Sequence, residues 1–349
     1  MSFPGLTRES YIKGNIMKKI ILFFTIILPA LLFISCGKKP LLDDYGCFAD
    51  YDEAITHAGK KHQPILVFFT SQGDDDQSTL LVTDVLKNAA FKEKITSKYT
   101  VIHADFSQAA YKKTVVPENA TAEEQNLANT YTTIMQNNYQ LAVLFNVSQM
   151  PAVFLCTEDG YVVNRLDDSK GFTSFDDFEN KLDSKSAELD HFNNLVAQTG
   201  KGSALKKVEA IDTLFIATQA EYRSFLLPLV KYAIELDKNN ESGLCGKFIL
   251  AQAEAEAMSA YSQGDVETAV QKYLTAADNN FVRAEEKQEC FFTAAYLVAY
   301  SDTDDYEGII SYLKTAYDLA PESSKAQAIK DAIAYFETVI DKTGQNAGN

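Results

Sequence analysis

The sequence predicts two domains of different class, an α/β domain followed by an all-α helical-repeat domain. Between residues 45 and 185, short apolar runs alternate with amphipathic segments, a pattern typical of strands alternating with helices. After residue 185 the apolar residues recur every three or four positions, which indicates helices almost to the end of the chain. The 349 residues are enough for two such domains. We therefore predict an α/β domain over 45–185 and a helical domain over 186–345.

The composition excludes several classes of protein. With 46% hydrophobic and 23% charged residues, the chain is typical of a packed globular protein. Its 48 acidic residues exceed its 32 basic ones, so the net charge of −16 repels phosphate backbones and no nucleic-acid partner is expected. Five cysteines are too few for a disulfide-rich scaffold. The four histidines lack metal-ligand spacing, so neither a metal nor another cofactor is predicted.

The N-terminus has the pattern of an export signal. Residues 17–19 are Met-Lys-Lys, and the run from Ile20 to Ile34 is apolar with only two interruptions. A basic start before an apolar run of this length is typical of a secretory signal peptide, here residues 1–35. A start at Met17 places the basic residues directly beside the apolar run, so we expect translation to begin at Met17.

The signal ends in Phe-Ile-Ser-Cys-Gly at residues 33–37, which resembles the cleavage site of bacterial lipoproteins. The resemblance implies cleavage before Cys36 and attachment of diacylglycerol to the Cys36 sulfur. Residues 36–44 would then form a lipidated linker. The protein would be tethered to the inner or outer membrane of the cell envelope, facing the periplasm. The alternative is an uncleaved anchor helix.

The α/β domain contains strands and helices in a defined order. Its first strand is continuously apolar, as expected for the centre of a sheet covered on both faces. Its last two strands flank a Glu-Asp-Gly turn and form a hairpin. In order, we predict a helix over 48–59, a strand over 64–70, a helix over 74–86, a strand over 99–106, a helix over 121–140, strands over 151–156 and 161–163, and a helix over 172–182.

This order resembles the thioredoxin fold, in particular its exported bacterial branch. The strand at 64–70 is similar to the family strand that leads into the redox loop, and residues 146–151 are similar to the segment that ends in the family's cis-proline, here Pro151. Apolar residues after the first strand match the family's active-site helix without a gap. The alignment places residues 75–78 where the family has Cys-x-x-Cys.

Asp75, Asp76, Gln77 and Ser78 therefore replace the redox motif. Thiol–disulfide exchange requires an attacking thiolate and a resolving thiol, so oxidoreductase activity is predicted to be lost and no catalytic residue is assigned. The acidic run could instead hold calcium, but no downstream ligand has loop spacing. Carboxylates at a helix N-terminus cap free N–H groups, and this explains the run better. Two roles remain open for Pro151: shaping the sheet, or marking an edge that binds peptide.

The remaining cysteines show no motif. Cys156 lies inside an apolar strand and is expected in the core, as free cysteines commonly are. Cys47 lies near the start of the same domain. Cys245 and Cys290 lie in helical segments and could form a disulfide only if those helices are neighbours. The sequence leaves this pairing open.

Two segments of the helical domain resemble each other. Residues 264–273 match residues 304–313, with Asp265 and Asp305 at equivalent positions forty residues apart. Similar alanine-containing helix ends follow both segments. The pattern resembles tetratricopeptide helix pairs, although the spacing departs from the 34 residues of that family. The resemblance implies irregular repeats with a concave face that binds peptides or proteins.

Together these observations favour a membrane-anchored, redox-inactive scaffold of the bacterial envelope that is not an enzyme. It would bind a protein or peptide through its helical domain. Two alternatives remain: a protein related to envelope thiol–disulfide oxidoreductases that uses Cys47 or Cys156, and an accessory module that binds a small solute.

Overall fold

The computed structural model describes residues 40–167, 171–301 and 304–346. The predicted signal peptide, with Met17 and the lipidation site Cys36, lies outside the described residues. The chain divides into two compact units between Leu236 and Asp237. We call them the sheet unit and the helical unit, and each is described by itself.

The sheet unit is built on four strands in the order β2-β1-β3-β4. Strand β1 pairs parallel with β2 and antiparallel with β3, and β3 pairs antiparallel with β4. Every residue of β1 is buried, as its apolar run predicts for a central strand. The mixed sheet confirms the predicted α/β class. The strands are β1 (Ile65–Thr70), β2 (Thr100–Asp105), β3 (Ala152–Cys156) and β4 (Val162–Arg165).

Helices connect and flank these strands. The helix after β1 begins two residues later than predicted because Asp75 is its N-cap. In order, the helical segments of the sheet unit are α1 (Tyr51–Lys61), α2 (Asp76–Leu80), which continues as the π-helical segment Leu81–Leu86, a second π-helical segment Phe91–Ile95, α3 (Gln108–Lys112), α4 (Ala122–Leu144), α5 (Phe175–Asp183), α6 (Ser186–Thr199), α7 (Ala204–Ala217), a 3-10 helix (Ala220–Leu226) and α8 (Leu227–Leu236).

The core of the sheet unit includes residues from far along the chain. Tyr222, in the 3-10 helix, is buried and its ring lies 5.8 Å from that of Phe154 on β3. Phe225 packs its ring 4.6 Å from Phe145 at the end of α4. The compact unit therefore extends to Leu236 and includes the helices that follow the predicted boundary at 185/186. Periodicity could not show this, because α6 to α8 are helical whichever unit they pack against.

Over residues 237–301 and 304–346, the helical unit contains five helices, and each packs against the next along the chain. Short turns join them, as in helix hairpins. The two segments that resemble each other form equivalent structures: Asp265 and Asp305 are N-caps whose side chains accept hydrogen bonds from the N–H groups of Thr268 and Gly308. This confirms the predicted all-helical domain. The helices are α9 (Cys245–Ser262), α10 (Val266–Ala277), α11 (Ala284–Tyr300), α12 (Tyr306–Leu319) and α13 (Ala326–Asn346).

If the 3-10 helix completes the sheet unit, Tyr222→Ala should lower the free energy of unfolding of that unit by about 3 kcal/mol, since it opens a cavity in a closed aromatic core. The matched control, Tyr232→Ala on α8, removes a tyrosine that is 37% exposed and should cost no more than about 0.5 kcal/mol. Urea unfolding of both variants measures the difference. Equal costs would contradict this assignment of the core.

Candidate functional site

The residues at the redox-motif position lie where β1 ends and α2 begins. Asp75 is the N-cap of α2, and its Oδ2 accepts a hydrogen bond of 2.6 Å from the backbone N–H of Ser78. A carboxylate in this place satisfies a free N–H group and complements the helix dipole. Asp75 therefore has a structural task at the position where the sequence analysis expects the family's first thiol.

The hydroxyl of Ser78 has no hydrogen-bond partner among the described residues. Ser78 is fully buried, and its Oγ is a buried side-chain oxygen without a hydrogen bond in the described part of the chain. No base lies within hydrogen-bond distance of it, so nothing activates this hydroxyl as a nucleophile. A buried hydroxyl without a partner destabilises the fold, which distinguishes Ser78 from an ordinary core serine.

Pro151 lies at the same end of the sheet as residues 75–78, where β1 ends. The Met150–Pro151 peptide bond is cis, and the register that pairs Ala152 with Phe69 places Pro151 opposite the last residue of β1. The structure thus brings together the two regions that the sequence analysis singled out, residues 75–78 and Pro151.

A third segment at this site was missed from the sequence. Gly171 has a φ of +65°, and a Cβ there would collide with the side-chain amide of Gln77. Its carbonyl oxygen accepts a hydrogen bond of 2.7 Å from Lys181 Nζ on α5. A glycine before the last helix of the domain was the available signal, but only the folded chain shows that it faces Gln77.

None of the described cysteines can supply the missing thiol chemistry. Burial raises the pKa of all four described cysteine thiols and is the main cause in each case. The pKa of Cys290 rises to about 11, and the pKa values of Cys47, Cys156 and Cys245 also lie above the usual value. All four are free, including Cys245 and Cys290, whose pairing the sequence left open. At neutral pH these thiols are protonated and enclosed, which opposes nucleophilic attack. Within the described ranges, no three His, Cys, Asp or Glu side chains form a group that could hold a metal ion.

The helical unit carries a second candidate site on α11. Phe292, Tyr296 and Tyr300 recur every four residues, and their successive ring centroids lie 4.7 and 5.9 Å apart. Tyr300 is 59% exposed, while the core side of the same helix holds the buried Ala294 and Ala295. We call Phe292, Tyr296 and Tyr300 the aromatic stripe.

An acidic cleft of about 410 Å³ adjoins the aromatic stripe. The Lys325 ammonium pairs with Glu289 and lies 6.0 Å from the Phe292 ring centroid, so it connects the cleft with the stripe. The floor is fixed by Gln288, whose buried amide donates to the carbonyl oxygens of Ala316 and Ala320. The residues that line the cleft are Glu285, Glu286, Gln288, Glu289, Ser323, Ser324 and Lys325.

Comparison with known families supports the fold described above. Residues 51–186 match a family model described as a thioredoxin-like domain. The chain contains a thioredoxin-like domain. This match ends within one residue of the predicted end at 185. Residues 244–342 match a model described as an uncharacterised protein C-terminal domain, which covers most of the helical unit.

Individual relatives give less information. A 138-residue segment is 28% identical to an uncharacterized protein of Treponema pallidum (strain Nichols). The segment covers 40% of this chain and 45% of that protein, so the chain spans less than half the length of this relative. A solved structure titled DsbH oxidoreductase shares 18% sequence identity with this chain. The match covers 41% of this chain and 81% of that structure, with a TM-score of 0.25, and supports no conclusion about activity. Over the described residues, every helix is too short or too polar to cross a bilayer.

The unpartnered hydroxyl of Ser78 leads to a prediction with a definite sign. Ser78→Ala should raise the free energy of unfolding of the sheet unit by about 1 kcal/mol, because it removes a buried polar group that makes no hydrogen bond. The matched control is Ser107→Ala. The buried Ser107 hydroxyl accepts a hydrogen bond from the Ala110 N–H as the N-cap of α3, so this change should lower the free energy of unfolding by about 1 kcal/mol. Denaturant titration measures the free energy of unfolding of both variants. A loss of stability in both variants would show that Ser78 has a partner.

Proposed function

We propose that this protein is a lipid-anchored, redox-inactive thioredoxin-fold protein of the bacterial cell envelope that binds a partner protein through its helical unit. The observation that carries the proposal is the aromatic stripe on α11, which runs from the half-buried Phe292 and Tyr296 to the exposed Tyr300, together with the acidic cleft that Lys325 joins to Phe292. Aromatic residues are enriched at protein-binding surfaces.

The thioredoxin-like domain contributes no redox chemistry in this proposal. Asp75 caps α2, Ser78 has no activating base, and the described cysteines have raised pKa values. An oxidoreductase needs a thiolate at this site and a second thiol to resolve the mixed disulfide. These observations disfavour the alternative of a thiol enzyme that uses Cys47 or Cys156.

The charge of the helical unit favours a basic partner. Residues 237–349 contain 19 Asp and Glu against nine Lys and Arg. A partner segment with a Lys or Arg beside apolar side chains would place its cation in the acidic cleft and its apolar groups on the aromatic stripe. Complementary charges of this kind raise association rates and select partners.

The lipid anchor rests on the signal and the cleavage sequence that ends at Cys36. The first backbone hydrogen bond of the sheet unit involves Leu41, whose carbonyl oxygen accepts from the Ala49 N–H. Five residues span at most about 18 Å when extended, so lipid on Cys36 would hold the sheet unit close to the membrane surface.

Substitution of the predicted lipidation site tests the anchor. Cys36→Ala should move the protein from the membrane fraction to the soluble fraction and abolish incorporation of a labelled fatty acid, because no other acyl anchor is predicted. The control Cys290→Ala removes a buried thiol instead and should remain in the membrane fraction. Membrane retention and undiminished labelling of Cys36→Ala would contradict lipidation at this residue.

Site-specific crosslinking tests the binding surface. A photo-crosslinking amino acid at Tyr300 of the full chain should capture one envelope protein through a segment that is basic and apolar. The control position is Met258 on α9, which is also exposed (56%) and lies in the same unit. Crosslinked peptides are identified by mass spectrometry, and a synthetic peptide of the captured sequence is then titrated against the purified protein.

Two variants determine whether the aromatic stripe carries the affinity for that peptide. Tyr296→Ala combined with Tyr300→Ala should weaken binding by about tenfold or more, as loss of interface aromatic residues does. Met258→Ala should leave the affinity unchanged. Equal crosslinking at positions 300 and 258, or equal affinity in all variants, would contradict the proposed surface.

A further inference from the structure

The sheet unit contains a separate cavity of about 170 Å³ that the proposed function does not use. It lies between the segment before α1, the end of β2, and helices α3 and α4. Its walls are polar and apolar in equal measure, and it opens to the surface beside Leu42, Asp44 and Lys113. The lining residues are Leu41, Leu42, Asp43, Asp44, Tyr45, Ala49, His103, Asp105, Ala110, Lys113, Tyr131, Ile134, Met135 and Asn138.

Asn138 is the wall residue that indicates a ligand. Its side chain is part of the cavity lining, and the residue is only 5% exposed although it sits on a helix whose neighbouring Asn137 is exposed. Among the described residues, its amide takes part in no hydrogen bond. Ser78 Oγ is the fully buried side-chain atom without a partner in the described part of the chain, so the Asn138 amide is not closed off but reaches the space of the cavity, where water or a ligand can satisfy it. The amide thus offers both a donor and an acceptor to a bound molecule.

The opposite wall is rigid. His103 Nδ1 lies 2.7 Å from Asp43 Oδ2, and Thr70 Oγ1 lies 2.8 Å from Nε2. Because a carboxylate only accepts, Nδ1 carries a proton and donates it to Asp43, while Nε2 shares a hydrogen bond with the Thr70 hydroxyl. Asp43 Oδ1 also accepts from the N–H groups of Tyr45 and Cys47. The His103 ring and the Asp43 carboxylate are therefore held in place.

The same arrangement of hydroxyl, imidazole and carboxylate occurs in hydrolases, but here it cannot attack a substrate. Thr70 is fully buried and is absent from the cavity lining, so no ligand reaches its Oγ1. A nucleophile must be accessible to the reacting carbon. His103 and Asp43 are thus positioning residues for the wall of a binding cavity.

The charges around the cavity have both signs. Asp44 and Lys113 are exposed side chains that line it, and the Lys113 ammonium lies 5.3 Å from the Tyr131 ring centroid. Asp105 lies deeper, where its carboxylate accepts two hydrogen bonds from Ser107. Burial, and then the nearby carboxylates, raise the pKa of Tyr45, consistent with a negative potential inside. A ligand with an ammonium group and a carboxylate matches this distribution, since each group has an opposite charge to face.

From this geometry we infer that the cavity binds a small zwitterion of the free amino-acid class. The ammonium group faces Asp44 and Asp105, and the carboxylate faces Lys113 and the amide of Asn138. An apolar protein cavity of about 150 Å³ accommodates benzene, so a cavity of this size suits a ligand of about six to ten non-hydrogen atoms. The inference concerns the sheet unit and does not depend on partner binding by the helical unit.

Isothermal titration of the full chain with each of the common L-amino acids, at millimolar concentration, tests the inference. At least one should bind with a one-to-one stoichiometry. Asn138→Ala should weaken that binding by about tenfold, as expected for loss of a hydrogen bond to a charged group. Asn137→Ala is the matched control on the same helix and should leave the affinity unchanged. Asp44→Asn, at an exposed position that does not affect folding, should also weaken binding.

Analogues of the bound amino acid identify which charge each residue recognises. Lys113→Gln should weaken binding of the amino acid but not of the corresponding amine without a carboxylate. Absence of binding by every amino acid would overturn the inference. Equal effects of Asn138→Ala and Asn137→Ala, or equal loss of the amine in Lys113→Gln, would also overturn it.

Discussion

Aromatic packing around Phe145 is the interaction on which the rest of the sheet unit depends. Phe145 is fully buried, and its ring centroid lies between 4.6 and 6.4 Å from those of Tyr51, Phe69, Phe154 and Phe225. These rings come from α1, β1, β3 and the 3-10 helix, so one side chain joins four distant parts of the chain. Because Phe145 ends α4, it also fixes where the following residues enter the sheet.

This constraint shows why the fold does not depend on a pair of redox thiols at the end of β1. The chain must pass from Phe145 to Pro151 and pair Ala152 with Phe69, which keeps Pro151 beside the end of β1. The stability of that end comes from the core and from the Asp75 cap, and neither needs a thiol. On the proposed alignment, replacement of both sulfurs would carry a small cost in folding, apart from the unpartnered hydroxyl of Ser78.

The acidity of the chain bears in different ways on the proposed membrane anchor and on the proposed partner binding. A net charge of −16 repels anionic lipid head groups, so the proposed attachment would rest on an acyl chain rather than on surface charge. In the helical unit the same excess of carboxylates favours basic partners, and this attraction weakens as salt screens exposed charges. The cavity near Asn138 differs, because carboxylates and the Lys113 ammonium line it together, so both signs of charge are present there.

The sequence by itself determined the order of elements, the fold class and the equivalence of Asp265 and Asp305, because periodicity and repeated segments are local patterns. The replacement of Cys-x-x-Cys stays a prediction from motif spacing. Only the tertiary structure decided that Tyr222 and Phe225 belong to the sheet unit, that Gly171 faces Gln77, and that Asn138 lines a cavity with His103. These relations join residues between 35 and 94 positions apart. Such contacts arise when the whole core packs, and no local pattern in the chain records them.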